Sequence, residues 1–451
     1  MTYFSPADSI ILPAAETLRR RRREIVGELA LRGLVTDEEP LCGVIDLDTV
    51  DELIDALKAA YPKSLPAMHT VAAKAIALRP VLAHYAQAGL GCEVASPGEL
   101  ELALAAGFAP DRIIFDSPAK TRREIEMALR LGVSFNVDNF EELARVDELI
   151  ADIKGPTPHI GVRINPQTGA GTIDAMSTAT ETSKFGIGLR DHREDLIEAF
   201  AARPWLDQLH VHSGSQGLEL EHTARGVRLI LDLAEAIAQR VGKDQVKRID
   251  VGGGLSVNFE SDEVTPTFQD HRSALESVVP ELFSGRFTLV TEFGRALTAK
   301  AGTLVTRVEY AKSTGGRPIA ITHAGVQVAT RTVFMPEYWP LRIEVFDAAG
   351  VPRIGEAFLQ DIAGPACFSG DMLAVGRSLP MITSSDLIAL PETGGYYFSS
   401  HFSYNALARP VVYAVFTDEA GQRRWSIARR AQTMEQIVAE AGEPDFAPLP
   451  T

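Results

Sequence analysis

The sequence has little cysteine, no long apolar run and no excess of positive charge. Three cysteines, Cys42, Cys92 and Cys367, stand among 451 residues, and no two form a C-x-x-C pair. So small and odd a number excludes a disulfide framework and points to reduced thiols in the cytoplasm. The cysteines and histidines show no metal-ligand spacing, so no metal is expected. No stretch has the apolar length that spans a bilayer. The start, MTYFSPADSIILPAAETLRRRRRE, sets its apolar patch before its basic run, the reverse of a secretory signal. Lysine and arginine total 44 against 60 aspartate and glutamate, a net charge of −16, which disfavours nucleic acid and anionic membranes as partners. Arg19 to Arg23 then read as one solvated helix face beside acidic neighbours. There is no internal repeat and no low-complexity segment. Nothing like G-x-G-x-x-G opens the first βα turn, so a dinucleotide-binding fold loses support.

What is present is an alternation. From about residue 40 to 300, short β-branched runs alternate with helical patterns: LCGVIDL then VDELIDALKAAY, LPAMHTVAA then RPVLAHYAQAG, GCEVA then PGELELALAAG, RIIFD then TRREIEMALRLG, SFNVD then FEELARVDELIADI. HIGVRIN, LDQLHVHSG, KRIDVGGG and FTLVTEFGR continue the series. This rhythm predicts a parallel sheet, and eight or nine such units predict an α/β fold of the (β/α)8 barrel kind. After residue 300, strand-like runs follow one another without helices: GTLVTRVEYAK, RPIAITHAGV, LRIEVFDAAG, DMLAVGR, DLIALPETGGYYF and RPVVYAVFT. They predict a mostly antiparallel β domain, closed by a short helix in AQTMEQIVAEAG. The expected division is a barrel over 41–300 and a β domain from 301–451.

In such a barrel the chemistry collects at the C-terminal strand ends. Polar residues and glycines fall there: Lys74, Glu93, Arg163, His212 with Gly214 and Ser215, Gly252 to Gly254, and Glu292 with Gly294 and Arg295. Three glycines after a strand let backbone N–H groups approach an anion closely. A serine hydroxyl and an arginine nearby complete a phosphate site. One lysine, one flat histidine, one carboxylate and a phosphate cradle together suit pyridoxal 5′-phosphate (PLP). That cofactor needs an imine-forming amine, a stacking ring, an acid at its pyridine nitrogen and anion donors. Lys74, a primary amine set into the apolar run HTVAAKAIAL, is read as the imine-forming residue.

The motifs AAKA around Lys74, GCEVASPGEL, RINP, KFG, HSGSQ, DVGGGLSV, EFGR, GPACFSGD and GGYYFSSHFSYN come in one order. In this the chain resembles the fold-type III PLP-dependent decarboxylases, the group of diaminopimelate, ornithine and arginine decarboxylases. Its motifs are most like those of diaminopimelate decarboxylases. The resemblance covers about residues 40 to 415. It implies an alanine-racemase-like barrel, a β domain that also takes in about residues 1–40, and a homodimer with shared active sites. It implies that Lys74 carries the cofactor, that His212 stacks on its ring and that Glu292 meets the pyridine nitrogen. Ser215, Gly252, Gly253, Gly254, Arg295 and Tyr396 would hold the phosphate. Cys367 of the other subunit would return a proton to the α-carbon after CO2 leaves. Glu93 and Lys184 would support the Lys74 side. An acid at position 292 favours decarboxylation over racemisation, since related racemases carry arginine there.

The chain also departs from the pattern. Phe368 stands where an acid usually binds a distal amine, and a phenyl ring cannot pair an ammonium in that way. His323 replaces an aspartate, Met335 a tyrosine, Phe293 a proline and Asp116 a histidine. Arg331 matches an arginine that contacts a distal carboxylate. Phe368, Met335, Tyr338 and Trp339 hint at a less polar substrate end. The expectation is an amino-acid decarboxylase with a specialised substrate, its end met by Arg331, Phe368 and Tyr396. The alternatives are a diaminopimelate decarboxylase, a PLP-dependent racemase and a non-catalytic binding relative.

Overall fold

The computed structural model describes residues 12–169, 171, 177–444 and 446. Of the apolar patch near the start of the chain, Ile10 and Ile11 therefore lie outside the described residues. The chain divides into two compact units. The first is built from Asp51–Asn258 and Glu263–Thr298, the second from Ala14–Val50, Phe259–Asp262 and the chain from Ala299 onward.

Eight parallel strands form the first unit: β1 (Ala67–Ala72), β2 (Gly91–Val94), β3 (Ile113–Phe115), β4 (Ser134–Val137), β5 (Ile160–Asn165), β6 (Leu206–His210), β7 (Arg248–Asp250) and β8 (Thr288–Phe293). Each pairs with its neighbours in sequence, and β8 pairs back with β1, which closes the barrel. Helices follow the strands, and local chemistry fixes their ends. Ser96 accepts the Glu99 N–H ahead of Pro97–Ala105, and Thr121 forms a capping box with Glu124 ahead of Arg122–Leu131. Each such cap is worth roughly 1 kcal/mol.

Strand alternation then decides what faces inward. Met68, Ile114 and Val290 form a small apolar plug. Two residues further along the same strands come Thr70, Asp116 and Glu292. The barrel thus changes from apolar to polar within one step of the pleat. Phe293 points the other way and packs edge to face on Phe268 at 5.0 Å and on His271 at 5.2 Å. Its departure from proline is a core substitution between sheet and helix.

LCGVIDL, read as the first barrel strand, lies elsewhere. Leu41–Asp46 is a strand of the second unit, antiparallel to Gly302–Thr314 and parallel to Val411–Thr417. Its burial on both faces imitates a barrel strand in sequence. The second unit's sheet has nine strands and is mixed. Arg317–Thr322 and Ala357–Ala363 form a further parallel pair. Ala357–Ala363 and Arg423–Arg429 were not evident as strands, since each interleaves polar residues near a sheet edge.

Helix Ala15–Leu31 carries the arginine run, and only part of it is solvated. Ile25, Val26 and Leu29 pack on Val44, Val305 and Phe346. On the same helix Arg22 is buried and pairs with Asp262 at 2.9 Å and with Glu344. Arg21 lies 3.2 Å from Asp46, and Arg342 joins Asp262 to Glu392. Burial alone would raise the Asp262 carboxyl, but Arg342 and Arg22 hold it well below the usual range. No helix among the described residues is long and apolar enough to cross a membrane.

Candidate active site

β1 ends at Ala72, and Ala73–Ala75 makes a single tight turn. Ala72, Ala73, Ala75 and Ile76 are fully packed, so the backbone is pinned on both sides of Lys74. The Lys74 side chain alone stays 42 % exposed, and its Nζ lies 2.5 Å from Glu93 Oε2 in β2. Burial pushes the Glu93 carboxyl up, against the pull of Lys74. The amine is thus anchored and still open to an incoming molecule.

Across the barrel lies a row of buried polar groups. Gln208 Nε2 donates to Asn136 Oδ1, and Asn136 Nδ2 donates to Asp116 Oδ1, both at 2.8 Å. Gly161 makes room for this relay, because a Cβ there would stand 2.1 Å from Asn136 Oδ1. His210 Nδ1 lies 3.2 Å from Asp250 Oδ2, 3.4 Å from Asp116 Oδ2 and 3.7 Å from Glu292 Oε1. Burial would lower the His210 pKa, yet Asp116 and Asp250 overcome it and raise it. Glu292 is pushed well above the ordinary carboxyl range by burial, then by Asp250, Asp116 and Glu93. One oxygen or nitrogen atom from each of Asp116, His210, Asp250 and Glu292 lies within 4.8 Å of all the others. They come from four strands, so no local spacing announces them.

The glycine run forms a narrow shelf. Gly252 and Gly254 have positive φ, 68° and 95°, which a side chain would strain. A Cβ on Gly254 would stand 2.2 Å from the Gly214 carbonyl oxygen. The Gly253 N–H donates to His212 Nδ1 at 3.1 Å. That bond leaves the proton on His212 Nε2. Burial, Arg163 and Lys74 lower the ring's pKa well below its usual value, so His212 is neutral. Gln216 clasps Val257 through both backbone groups, at 2.7 and 3.0 Å, which ties the Ser215 loop to the glycine loop. Gly294 and the buried Arg295 follow β8 directly. Arg163 and Lys184 lie over the Phe185 ring, at 4.3 and 4.8 Å.

Within the first unit the structure therefore gathers Lys74, Glu93, Arg163, His212, Ser215, Gly252–Gly254, Glu292, Gly294 and Arg295 at the strand ends. His210, Asp250 and Asn136 were missed. The HVH triplet was a usable signal, since His210 is the last residue of β6 and His212 follows just beyond it, at the strand end where such chemistry collects.

The remaining candidates belong to the second unit. Arg331 lies over the Tyr396 ring at 4.5 Å, and Tyr396 has φ 76°. Both line a small open cleft with Val328, Thr330, Tyr397 and Ser400. Cys367 is exposed, and its N–H donates to Asn405 Oδ1 at 2.6 Å. Phe368 stacks on Phe334 at 6.1 Å and meets Tyr404 edge-on at 5.5 Å. Phe402 completes a ring of four aromatics. Trp339 is core, edge to face on Phe259, and is corrected from a substrate-end residue to a packing one.

Comparison with known proteins follows this geometry. Residues 47–299 match the family described as pyridoxal-dependent decarboxylase, pyridoxal binding domain. The chain is 35% identical over 383 residues to a diaminopimelate decarboxylase of Pseudomonas fluorescens, covering 84% of this chain and 87% of that one. It is 34% identical to the Pseudomonas aeruginosa enzyme of the same name, covering 86% and 90%. Its fold is similar to the crystal structure of Helicobacter pylori diaminopimelate decarboxylase complexed with L-lysine. There the TM-score is 0.79 at 27% identity, over 91% of this chain and 99% of that chain.

Proposed function

Since the chain belongs to the pyridoxal-dependent decarboxylase family, and so is a carboxy-lyase that acts on an amino acid with PLP, we propose how its own residues divide that work. The observation that carries the assignment is the pairing of an open, anchored Lys74 with a buried, proton-holding Glu292 in one barrel.

The residues fit the cofactor. Lys74 offers the amine that joins its aldehyde. Glu292 brings a carboxyl that retains a proton, which it can offer to a pyridine nitrogen. His212, neutral and fixed in one tautomer by Gly253, supplies a flat face without adding charge. Gly252 to Gly254 would admit a phosphate that any Cβ would obstruct, with Ser215 and Arg295 as further donors. Tyr396 joins that phosphate set by resemblance. When bound, the cofactor accepts the electron pair left at the α-carbon as CO2 departs. Lys74, held beside Glu93, would be the amine placed to take the cofactor back from the product amine. Glu93 keeps the lysine ammonium oriented between turnovers. Cys367 returns the α-proton in a homodimer of shared sites. Its exposure leaves the thiol accessible for that role.

The substrate reading goes further. Phe368 sits in a ring of four aromatics, so the usual carboxylate for a distal ammonium is replaced by an apolar surface. Arg331 offers a cation for a distal anion. We read the substrate as an amino acid with an apolar or anionic distal end. Diaminopimelate is the second reading, favoured by the names of the relatives above.

The experiment is mass spectrometry of PLP-loaded protein with meso-diaminopimelate, lysine, ornithine, arginine, glutamate, and apolar and aromatic amino acids in both hands. Loss of CO2 from an apolar or acidic amino acid alone is expected. Loss from diaminopimelate overturns the substrate reading. A product of unchanged mass means racemisation, and no product with the cofactor bound at Lys74 means a binding relative.

A further inference from the structure

Asp116 and Glu292 are a pair of acids in the one place where two carboxylates should not meet. Ionised carboxylates accept hydrogen bonds and cannot donate them. Yet a carboxylate oxygen of each lies within 4.8 Å of the other, both are turned toward the same His210 Nδ1, and both residues are buried. Asp116 Oδ2 and Glu292 Oε1 are reached by no hydrogen-bond donor in good geometry. A single proton between the two groups satisfies both, and like charges this close cannot both stay ionised.

The geometry is imposed from the sequence outward. Gly161 clears space for Asn136, Gln208 fixes which way its amide points, and its Nδ2 then occupies Asp116 Oδ1. Only Asp116 Oδ2 is left for the centre of the barrel. The Gly252 N–H likewise occupies Asp250 Oδ1 at 2.9 Å, which turns Asp250 Oδ2 toward His210.

We propose that Asp116 is a positioning residue that shares one proton with Glu292 and so keeps that proton on the carboxyl facing the cofactor's pyridine nitrogen. This rests on the reading of Glu292 given above.

The surrounding charges say which partner holds the proton. Burial opposes an ionised Asp116, but His210, Glu292, Arg163 and Lys120 together hold it low. Burial, Asp250, Asp116 and Glu93 all hold Glu292 high. The geometry runs the same way: Asp116 already accepts from Asn136 Nδ2 at 2.8 Å and lies nearer His210 Nδ1 than Glu292 does, 3.4 against 3.7 Å, which places the proton on Glu292 with Asp116 as its acceptor. On loading, the Glu292 O–H bond breaks, the proton joins the ring nitrogen, and the electron pair stays on the Glu292 carboxylate. No proton from solvent is needed. Asp116→Asn inverts the arrangement, because an amide N–H donates to Glu292 and favours its ionised form.

The test is calorimetric titration of apoenzyme with PLP at mildly alkaline pH, in two buffers of different ionisation enthalpy, which counts the protons exchanged. Asp116→Asn is expected to take up about one more proton per site than wild type. Equal uptake overturns the proposal. Glu292→Gln separates the two readings. If it matches wild type in uptake and PLP affinity, the Glu292 assignment falls. If it differs while Asp116→Asn does not, only the role of Asp116 falls. Should Asp116→Asn fail to fold, infrared spectroscopy of wild-type apoenzyme decides. A protonated-carboxyl band is expected well above the ordinary carboxyl range and lost on loading, and its absence from apoenzyme overturns the proposal.

Discussion

A Cβ on Gly253 would stand 2.2 Å from the carbonyl oxygen of Glu292. The glycine shelf and the strand bearing the acid are thus in backbone contact. Gly253→Ala must push them apart, and overpacking of this kind costs about 1–3 kcal/mol. The variant should melt lower than wild type and bind PLP about tenfold or more weakly. A PLP titration with a thermal melt checks both, and wild-type affinity would show that the shelf does not approach the cofactor.

Lys74→Ala should abolish turnover while leaving the fold intact. The turn Ala73–Ala75 is packed by its alanines and not by the lysine stem. The check is product formation alongside a melting curve. Turnover at the wild-type rate would remove Lys74 from the chemistry.

Phe368→Asp restores an acid to the aromatic ring. It should lose about 0.5–1.5 kcal/mol of ring contact. In exchange it should gain activity on amino acids with a distal ammonium and lose it on apolar ones. The ratio of kcat/KM for lysine and a matched apolar substrate reads this directly. An unchanged ratio would mean that Phe368 does not meet the substrate.

Asp262 accepts from both Arg22 and Arg342 inside the second unit. Asp262→Ala leaves Arg22 with Glu344 alone and Arg342 with Glu392 alone, so the loss should fall below the about 3–5 kcal/mol of a fully unpaired buried charge. Chemical denaturation should show the loss. Because the Asp262 pKa is depressed in the fold, its contribution is present above the unfolded value of about 3.9 and is lost as pH falls below it.

The apoenzyme barrel has the opposite pH dependence. Glu292 and His210 both have raised pKa values in the fold. Their contributions are complete below the unfolded values, about 4.3 and 6.5, and are lost as pH rises through the raised ones. Above the unfolded histidine value of about 6.5, where the buried His212 is neutral folded or unfolded, apoenzyme should therefore melt progressively lower as pH rises. Glu292→Gln should flatten part of the slope. A melting temperature that rises with pH throughout would contradict this.

The barrel and its strand-end residues were legible because each signal is local. A β-branched run, a helix and a polar strand end recur within about thirty residues, as from Ala67 to Val94. Leu41–Asp46 misled because a strand buried on both faces reads alike in either sheet. The arginine run misled because composition alone does not reveal that Asp262, more than two hundred residues away in sequence, waits for Arg22. The acid centre was half legible. Glu292 and Asp116 were noticed singly, but that they face each other follows only from barrel closure, which no spacing along the chain encodes. Trp339 was over-read because a buried aromatic and a substrate-facing one look the same in sequence.

The N-terminal strand Leu41–Asp46 hydrogen-bonds on both edges, to Gly302–Thr314 and to Val411–Thr417. During translation it leaves the ribosome long before either partner exists. All eight strands of the barrel are made in the interval. Through that time both edges of an apolar strand have no final neighbour, the condition under which strands pair wrongly between chains. Helix Ala15–Leu31 is made first and contacts Cys42 and Val44. With Leu34 and Val35, which pack on the same cluster, it is already present to shield that strand until the polypeptide is complete.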